Sequence, residues 1–489
     1  MKMLKTSDLG QLPETVATPR YDRSQLRPGI VHIGCGNFHR AHQAVYLDDL
    51  FALGEGHDFA LVGAGVREGD SRMRDALAAQ DWLYSVIELD EGHSAARVVG
   101  SMVDFTEIAP GNAALIAQMA APTTKIVSLT VTEGGYFIDP TTGTFSPDHP
   151  EVLADAAHPR SPNTVFGAII EALRLRREAG EMPFTVMCCD NVPHNGHVTR
   201  DAVVGLCKLV DLELAAWIAE NVAFPNSMVD RITPATGDRE RKLARDFGID
   251  DNAPVTCEPF RQWVMEDNFP AGRPALEKVG VTFTDQVDRF ETMKIRILNG
   301  GHAIIAYPAG LMGIDLVHDA MANPLIKGFL TKILSDEVLP IVPPVPGMVL
   351  TDYRDLIVKR FSNPEVADTT RRLCYDGTNR QPKFIVPSIA DVLKAGGNAR
   401  GLILLSALWC RYCFGTNDAG ETIAANDPNW DAMTARAAEA RTRPAAWLEM
   451  TTVYGDMAKN KTFADGFAEA LAEIWRDGTQ AAITRYLES

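Results

Sequence analysis

The sequence predicts an α/β fold, a Rossmann-like doubly wound N-terminal domain over residues 1–285 followed by a mostly α-helical C-terminal domain over 286–489. Three observations predict it. Buried-type strands alternate with helical stretches up to about residue 190, the pattern of parallel βαβ units. The first of those strands runs into Gly34-Cys35-Gly36 and then into a helix. Beyond about residue 285, strand patterns become scarce and helical spacing dominates.

The elements follow in order. Gly29-Ile30-Val31-His32-Ile33 is a short apolar strand, and Arg40 to Leu53 carries Ala41, Ala44, Val45, Leu47 and Leu50 at helical spacing. Phe59 to Ala64 is a second strand, with a helix near Arg72 to Ala79. Lys125 to Val131 and Phe184 to Cys189 are further buried-type strands, separated by a helix within Asn163 to Ala179. In the second half, helices are predicted over Arg289–Gly313, Pro324–Leu339, Tyr353–Phe361, Ile385–Lys394, Leu402–Phe414, Trp430–Arg441 and Phe463–Leu487.

Composition narrows the function classes. Of 489 residues, 47 are Lys or Arg and 64 are Asp or Glu, a net charge of −17. That balance argues against nucleic acid or an anionic membrane as partner, because phosphate neutralisation needs clustered cations. No apolar run approaches the roughly 18–20 residues that span a bilayer. Met1 to Thr15 mixes Lys, Asp and Glu without an apolar core, so no signal peptide is expected there and the expected location is cytoplasmic. The cysteines (35, 188, 189, 207, 257, 374, 410 and 413) are too sparse for a disulfide scaffold. Cys410 and Cys413 form a CxxC inside an apolar stretch and read as buried. The pairs His39/His42 and His194/His197 are spaced by three rather than four residues, and no metal site is expected.

Strand, Gly34-Cys35-Gly36 and helix are the layout of a dinucleotide site: the glycines allow a tight turn and close backbone approach, and the helix start offers free N–H groups to phosphate. The third glycine of GxGxxG is absent, its position holding His39. The candidate cofactor residues are Gly34, Gly36, Asn37, Phe38, Arg40, Glu68 and Asp70. An acid after the second strand suits the ribose hydroxyls of NAD, while Arg67 beside it could meet a 2′-phosphate, so NADP is not excluded.

The segment Glu291-Thr292-Met293-Lys294-Ile295-Arg296-Ile297-Leu298-Asn299-Gly300-Gly301-His302 carries the candidate chemistry. Measured around an α-helix from Lys294, Glu291 falls at about 60°, His302 at about 80° and Asn299 at about 140°. One polar arc therefore holds all four, with Leu298 the apolar exception. A desolvated Lys can act as a base near neutral pH. Asn and His donors can steady charge developing on an oxygen. A tension remains: Lys294 and His302 lie about 12 Å apart along a straight helix. Meeting at one oxygen needs bending, which Gly300-Gly301 would permit, or bridging by Asn299.

These stretches, together with 126–136, Cys189-Asp190-Asn191-Val192-Pro193-His194-Asn195-Gly196 and Pro225-Asn226-Ser227-Met228-Val229-Asp230-Arg231-Ile232-Thr233-Pro234, resemble the long-chain mannitol dehydrogenase family over most of the chain. The resemblance implies metal-free, NAD(P)-dependent interconversion of mannitol and fructose, with arabinitol or glucitol as possible further substrates. It implies Lys294 as general base, Asn299 and His302 on the reacting oxygen, Glu291 on the proton path, and Asn191, Asp230, Arg372 and Arg380 on substrate hydroxyls. Many relatives carry Lys where this chain has Arg380. Tyr375 and Lys383 are further candidates. Independently of the family, Asn191 follows a strand at the end where open α/β sheets bind ligands. The expected partner is a small polyol or ketose, and a monomer is plausible. Two alternatives are a hexuronate reductase of the same family, with Arg372 and Arg380 clamping a carboxylate, and a non-catalytic NAD-binding sensor.

Overall fold

The computed structural model describes residues 3–139 and 142–489. The chain divides into two compact units, Met1–Val287 and Asp288–Ser489.

The first unit is built on a five-stranded parallel sheet: β1 (Pro28–Ile33), β2 (Ala60–Ala64), β3 (Met102–Phe105), β4 (Ile126–Leu129) and β5 (Thr185–Cys188). Its order is β3-β2-β1-β4-β5. Chain direction across the sheet therefore reverses between β1 and β4, and in doubly wound sheets ligands bind at the carboxyl ends beside that point. The strands are mostly apolar because both faces are covered, with His32, Ser128 and Thr185 as buried polar exceptions. Val31, Ile33, Val127 and Leu129 join one apolar cluster, and Ile30, Leu61 and Ile126 join another. The helix Val165–Ala179 supplies Phe166, Ile169 and Leu173 to the first, and Gln43–Ala52 supplies Leu47, Leu50 and Phe51 to the second.

Two features depart from the sequence reading. The helix expected over Arg40–Leu53 is two helices, Asn37–Ala41 and Gln43–Ala52, broken at His42 (φ −115°, ψ −89°). Tertiary partners break it: the Ala41 carbonyl accepts from Arg231 Nη1 at 2.6 Å, and His42 Nε2 lies 2.9 Å from the Gln262 carbonyl. A second, mixed sheet was not foreseen. In it an antiparallel hairpin, Tyr84–Asp90 with His93–Val99, carries Val255–Cys257 on one edge and Val16–Ala17 on the other. A further strand, β6 (Ser227–Asp230), pairs antiparallel with Gln262–Met265, and Asp230 faces Gln262.

The second unit is helical, with only isolated bridges such as Leu316 to Thr369 and Thr416 to Thr422 among its described residues. Its centre is the helix Arg400–Cys413, buried from Gly401 through Cys413 and packed on Lys461–Leu487 and on Gly300–Leu311. Cys410 and Cys413 lie in that core as free thiols. Among the described residues, no helix is long and apolar enough to cross a membrane.

Candidate active site

The β1-to-helix turn is held in a specific shape. Gly34 has φ +99°, and a Cβ there would lie 2.1 Å from the Thr130 carbonyl oxygen, so no side chain fits. Gly36, by contrast, faces open space. A turn closed on the sheet side and open beyond Gly36, leading into first-turn N–H groups, fits a dinucleotide pyrophosphate. His39, where a third glycine was expected, lies flat on His32 with ring centroids 3.4 Å apart at 11°. Imidazole stacking thus replaces the bare backbone contact.

The polar residues of this turn face inward. Asn37 Nδ2 donates to Pro234 O and Thr236 Oγ1, each at 2.9 Å. Arg40, fully buried, donates to Ala253 O and, at 2.7 Å, to Asn37 Oδ1. Both side chains tie the turn to the segment after β6. Phe38 stacks on His42 at 4.8 Å. Beyond β2, Asp70 Oδ2 accepts the N–H groups of Val66 and Arg67, each at 3.1 Å, and so closes that loop, while Glu68 is exposed.

Asn191 sits just past β5 and Asp230 ends β6, the first exposed and the second buried. The loops that carry them are locked by residues the sequence reading passed over. Asp190 accepts from Val131 N (2.9 Å), Thr132 N (3.0 Å) and the Tyr136 hydroxyl (2.6 Å). Asn195 Nδ2 donates to Ser227 O at 2.8 Å, and Ser227 N returns a bond to Asn195 Oδ1 at 2.9 Å. Asn226 Oδ1 accepts from Gly196 N at 3.0 Å, and Asn226 Nδ2 donates to Glu266 at 2.9 Å. A Cβ on Gly196 would fall 2.4 Å from the Phe224 carbonyl oxygen, which explains the glycine. The recurrence of Asn and Asp at strand ends was the available signal, since such residues bind loop backbone.

At the start of the second unit the helix Val287–Met293 passes into a π-helix, Lys294–Asn299, and then into Gly300–Leu311. A π turn, not the expected glycine bend, changes the phase of these side chains, while Lys294 and His302 stay about 10 Å apart along the axis, a span that Asn299 bridges. Gly300 is regular right-handed helix (φ −61°, ψ −43°). The widening lies before it, where i→i+5 bonds put one extra residue in the turn. One inserted residue turns everything beyond back by about 100°. Relative to Lys294, His302 then moves from about 80° to about −20°, and Asn299 from about 140° to about 40°. The π turn gathers the three side chains onto one narrow strip. Gly301 serves packing: a Cβ there would press 3.2 Å from Phe361 Cε2, and Phe361 stacks on the His302 ring at 4.3 Å.

Lys294 and Asn299 are buried at 6% and 9% exposure, and Glu291 is half-buried one turn earlier. The His302 imidazole is held well below its ordinary basicity by burial first, then by Arg372, Arg360, Arg380 and Lys294. It is therefore neutral, and its Nε2 is buried with no hydrogen-bond partner. Arg360, buried and unremarked in the sequence, belongs to this cationic surround. Arg372 forms a two-pronged pair with Asp368, with Nε at 2.6 Å from Oδ1. Arg380 Nη1 donates to Leu373 O at 2.9 Å. Tyr375 and Lys383 are exposed. Among the described residues, no group of three or more His, Cys, Asp or Glu side chains could hold a metal ion. His39 and His42 are separately engaged, and the His194 and His197 rings are 6.1 Å apart.

A doubly wound sheet with a glycine turn, followed by a helical unit with a buried Lys–Asn–His strip, defines a dinucleotide-dependent oxidoreductase of the Rossmann type. Comparison with known proteins narrows that class. The mannitol dehydrogenase Rossmann domain model matches residues 28–278, and the mannitol dehydrogenase C-terminal domain model matches 286–475. The chain belongs to the mannitol dehydrogenase family. It is 65% identical over 476 residues to mannitol 2-dehydrogenase of Cereibacter sphaeroides, covering 97% of this chain and all of that one. It is 41% identical to mannitol 2-dehydrogenase of Aspergillus oryzae, over 97% of this chain and 96% of the relative. The solved ternary complex of Pseudomonas fluorescens mannitol 2-dehydrogenase with NAD and D-mannitol superposes with a TM-score of 0.90 at 41% identity, covering both chains completely. A substrate-free D-sorbitol dehydrogenase also gives a TM-score of 0.90, at 36% identity, covering 99% of this chain and all of the other.

Proposed function

We propose that this chain is an NAD-dependent polyol 2-dehydrogenase that interconverts D-mannitol and D-fructose, with arabinitol or glucitol as further substrates. The observation that carries the reading is the π turn at Lys294–Asn299, which brings Lys294, Asn299 and His302 onto one strip of a buried helix. The 65% identity to a mannitol 2-dehydrogenase and the fold shared with a complex of NAD and D-mannitol support the choice of substrate and cofactor.

Gly34, Gly36 and the first-turn N–H groups at Asn37 and Phe38 hold the pyrophosphate, Arg40 braces that turn, and Glu68 meets the ribose beside the loop that Asp70 closes. NAD, when bound, supplies the acceptor for the hydride that leaves the carbinol carbon. Lys294 takes the hydroxyl proton, and Glu291 passes it outward. Asn299 donates to the oxygen as charge develops on it. His302 is neutral and has one N–H to give, and its unpartnered buried nitrogen is the kind of group a ligand satisfies. Asn191, Asp230, Arg372 and Arg380 take the remaining hydroxyls, with donors and acceptors for several at once. The reading needs no metal and no second copy of the chain. We place the protein in the cytoplasm: its eight cysteines are buried free thiols, as suits a reducing compartment.

One observation favours a second reading, reduction of a keto-hexuronate: three arginines act on His302. Against it, the Arg372 fork is already taken by Asp368, which breaks the Arg372–Arg380 clamp that a substrate carboxylate would need. The test is direct. Purified protein with NAD and each of mannitol, arabinitol and glucitol should generate NADH absorbance, and fructose should oxidise NADH faster than fructuronate. Faster oxidation by fructuronate would favour the second reading. NADH binding without turnover of any of these would favour a sensor.

A further inference from the structure

We propose that His32 and Thr130 are positioning residues for the dinucleotide turn, fixing the Gly34 carbonyl through a one-way chain of hydrogen bonds that begins at Gln43. The proposal rests on the dinucleotide reading above and deepens it. Neither residue belongs to the glycine motif, and neither is given a role in the chemistry.

The chain of bonds can be followed proton by proton. The Gly34 carbonyl oxygen lies 2.6 Å from Thr130 Oγ1, a strong O–H···O distance, and 3.2 Å from His32 Nε2. It also accepts from Gly36 N at 2.7 Å. A carbonyl only accepts, so Thr130 spends its single proton there. Thr130 Oγ1 lies 2.9 Å from His32 Nε2 and must then accept from it, which puts the ring proton on Nε2. His32 is fully buried, and burial pushes its imidazole down to about 3, so the ring is neutral and Nδ1 is bare. Nδ1 therefore accepts the Ser128 hydroxyl at 2.7 Å. Ser128 Oγ in turn lies 3.1 Å from the Gln43 amide, whose oxygen and nitrogen exchange by a half-turn of the side chain. With that half-turn the amide N–H donates to Ser128, and the Gln43 nitrogen, otherwise buried without a partner, is satisfied.

The order is then Gln43, Ser128, His32, Thr130, Gly34 carbonyl, every donor pointing the same way. Bonds in such a chain polarise one another. His39 stacked on His32 holds the ring plane. Thr130 follows β4, and its own carbonyl occupies the place of a Gly34 Cβ. The chain thus spans the switch point between β1 and β4 and orients the peptide plane that follows Gly34. Gly34 has φ +99°, one of several shapes a free glycine visits, so something must select it. Without these donors the turn would pay for its ordering when the dinucleotide binds.

The test is the NADH dissociation constant, read by fluorescence titration on the full chain, alongside KM for NAD and kcat at saturating NAD. Thr130→Val keeps the shape and removes the hydroxyl. It should raise Kd and KM by about ten-fold and leave kcat within about three-fold. His32→Phe should do the same. His32→Gln, whose amide N–H reaches the Nε2 position, should recover most of the affinity, whereas His32→Asn should not. Because the two residues act in series, the double variant should be no weaker than the worse single variant. A Kd within about two-fold of wild type for folded Thr130→Val overturns the proposal, as does a His32→Gln no better than His32→Phe. If His32→Phe fails to fold, Thr130→Val alone decides. A wild-type chain that binds no dinucleotide overturns this proposal and the cofactor reading together. A wild-type chain that binds NADH but turns over no polyol removes the activity reading alone, and the same dissociation constants still decide this one.

Discussion

Replacing Asp190 with alanine strips the acceptor from three donors at once: Val131 N, Thr132 N and the Tyr136 hydroxyl. An orphaned buried donor costs about 1–3 kcal/mol. The two backbone bonds are part-buried, so water takes up some of their loss, and the Tyr136 hydroxyl keeps the Cys188 sulfur at 2.8 Å. The expected loss is therefore about 2–4 kcal/mol, less than three full penalties. For a unit of this size about 1 kcal/mol moves the midpoint by about 2–4 °C, so the first unit should melt about 10 °C earlier. Asp190→Asn should lose about half as much. Its one oxygen can serve one backbone N–H, and the Tyr136 hydroxyl can turn to accept from the new amide. Calorimetry at neutral pH, with urea denaturation as a check, measures both variants. Because Asn191 is the next residue, KM for polyol should rise in both. Refutation would be an alanine variant within about 1 kcal/mol of wild type, or an asparagine variant as damaged as the alanine.

Lys294→Ala should lower kcat by about 10²–10⁴-fold, with the deficit shrinking as pH rises and hydroxide replaces the base, and with NADH binding retained; a near-normal rate at neutral pH would remove Lys294 from its role. Gly301→Ala should press on Phe361 and through it on His302, so kcat/KM should fall by about ten-fold, while stability changes little because the helix gains about 1 kcal/mol that offsets the crowding; steady-state kinetics beside a melting curve separates the two. His32 and His42 are each pushed down to about 3 by burial, and His39 well below its ordinary value. The unfolded chain protonates these rings near pH 6.5 and the folded one resists, so first-unit stability is whole above 6.5 and falls as pH drops toward 3, by up to about 1.4 kcal/mol per pH unit for each histidine. Urea titrations across that window should show a shallower slope for His42→Gln. EDTA should leave polyol oxidation within about two-fold of its untreated rate, since Lys294 supplies the base; strong inhibition would call for a metal.

Much of the first unit was legible because its signals are local. The strand before Gly34-Cys35-Gly36 is apolar apart from His32 because the sheet is covered on both faces, and the helix over Val165–Ala179 has its apolar spacing and its Thr164 cap. The hairpin Tyr84–Val99 was not legible as part of a sheet, since its outer partner, Val255–Cys257, lies far along the chain. The break at His42 was equally hidden: it depends on Arg231 and Gln262, which no window around residue 42 contains. At the Lys–Asn–His strip the residue types could be read but their phase could not. Spacing rules assume α-helical turns, and nothing in Lys294-Ile295-Arg296-Ile297-Leu298-Asn299 announces the wider one. Asp190 carries no local signal of its role, because its partners, at 131, 132 and 136, meet it only once β4 and β5 are paired.

The helix Arg400–Cys413 sets a timetable for synthesis. Thirteen consecutive residues from Gly401 are enclosed, and Gly401 is glycine because the Tyr486 ring and Ile333 leave no room for a Cβ. Its wall is completed by Lys461–Leu487, so this interior stays wet until the ribosome has released that stretch. The five strands of the parallel sheet all precede residue 190, and the later residues that cover one of its faces, Val229, Val255 and Trp263 among them, also precede the second unit, so the first unit can close well before that stretch emerges. A nascent chain therefore passes through a stage with one finished half and one greasy, open half, and it is in that interval that a holdase chaperone would find its grip.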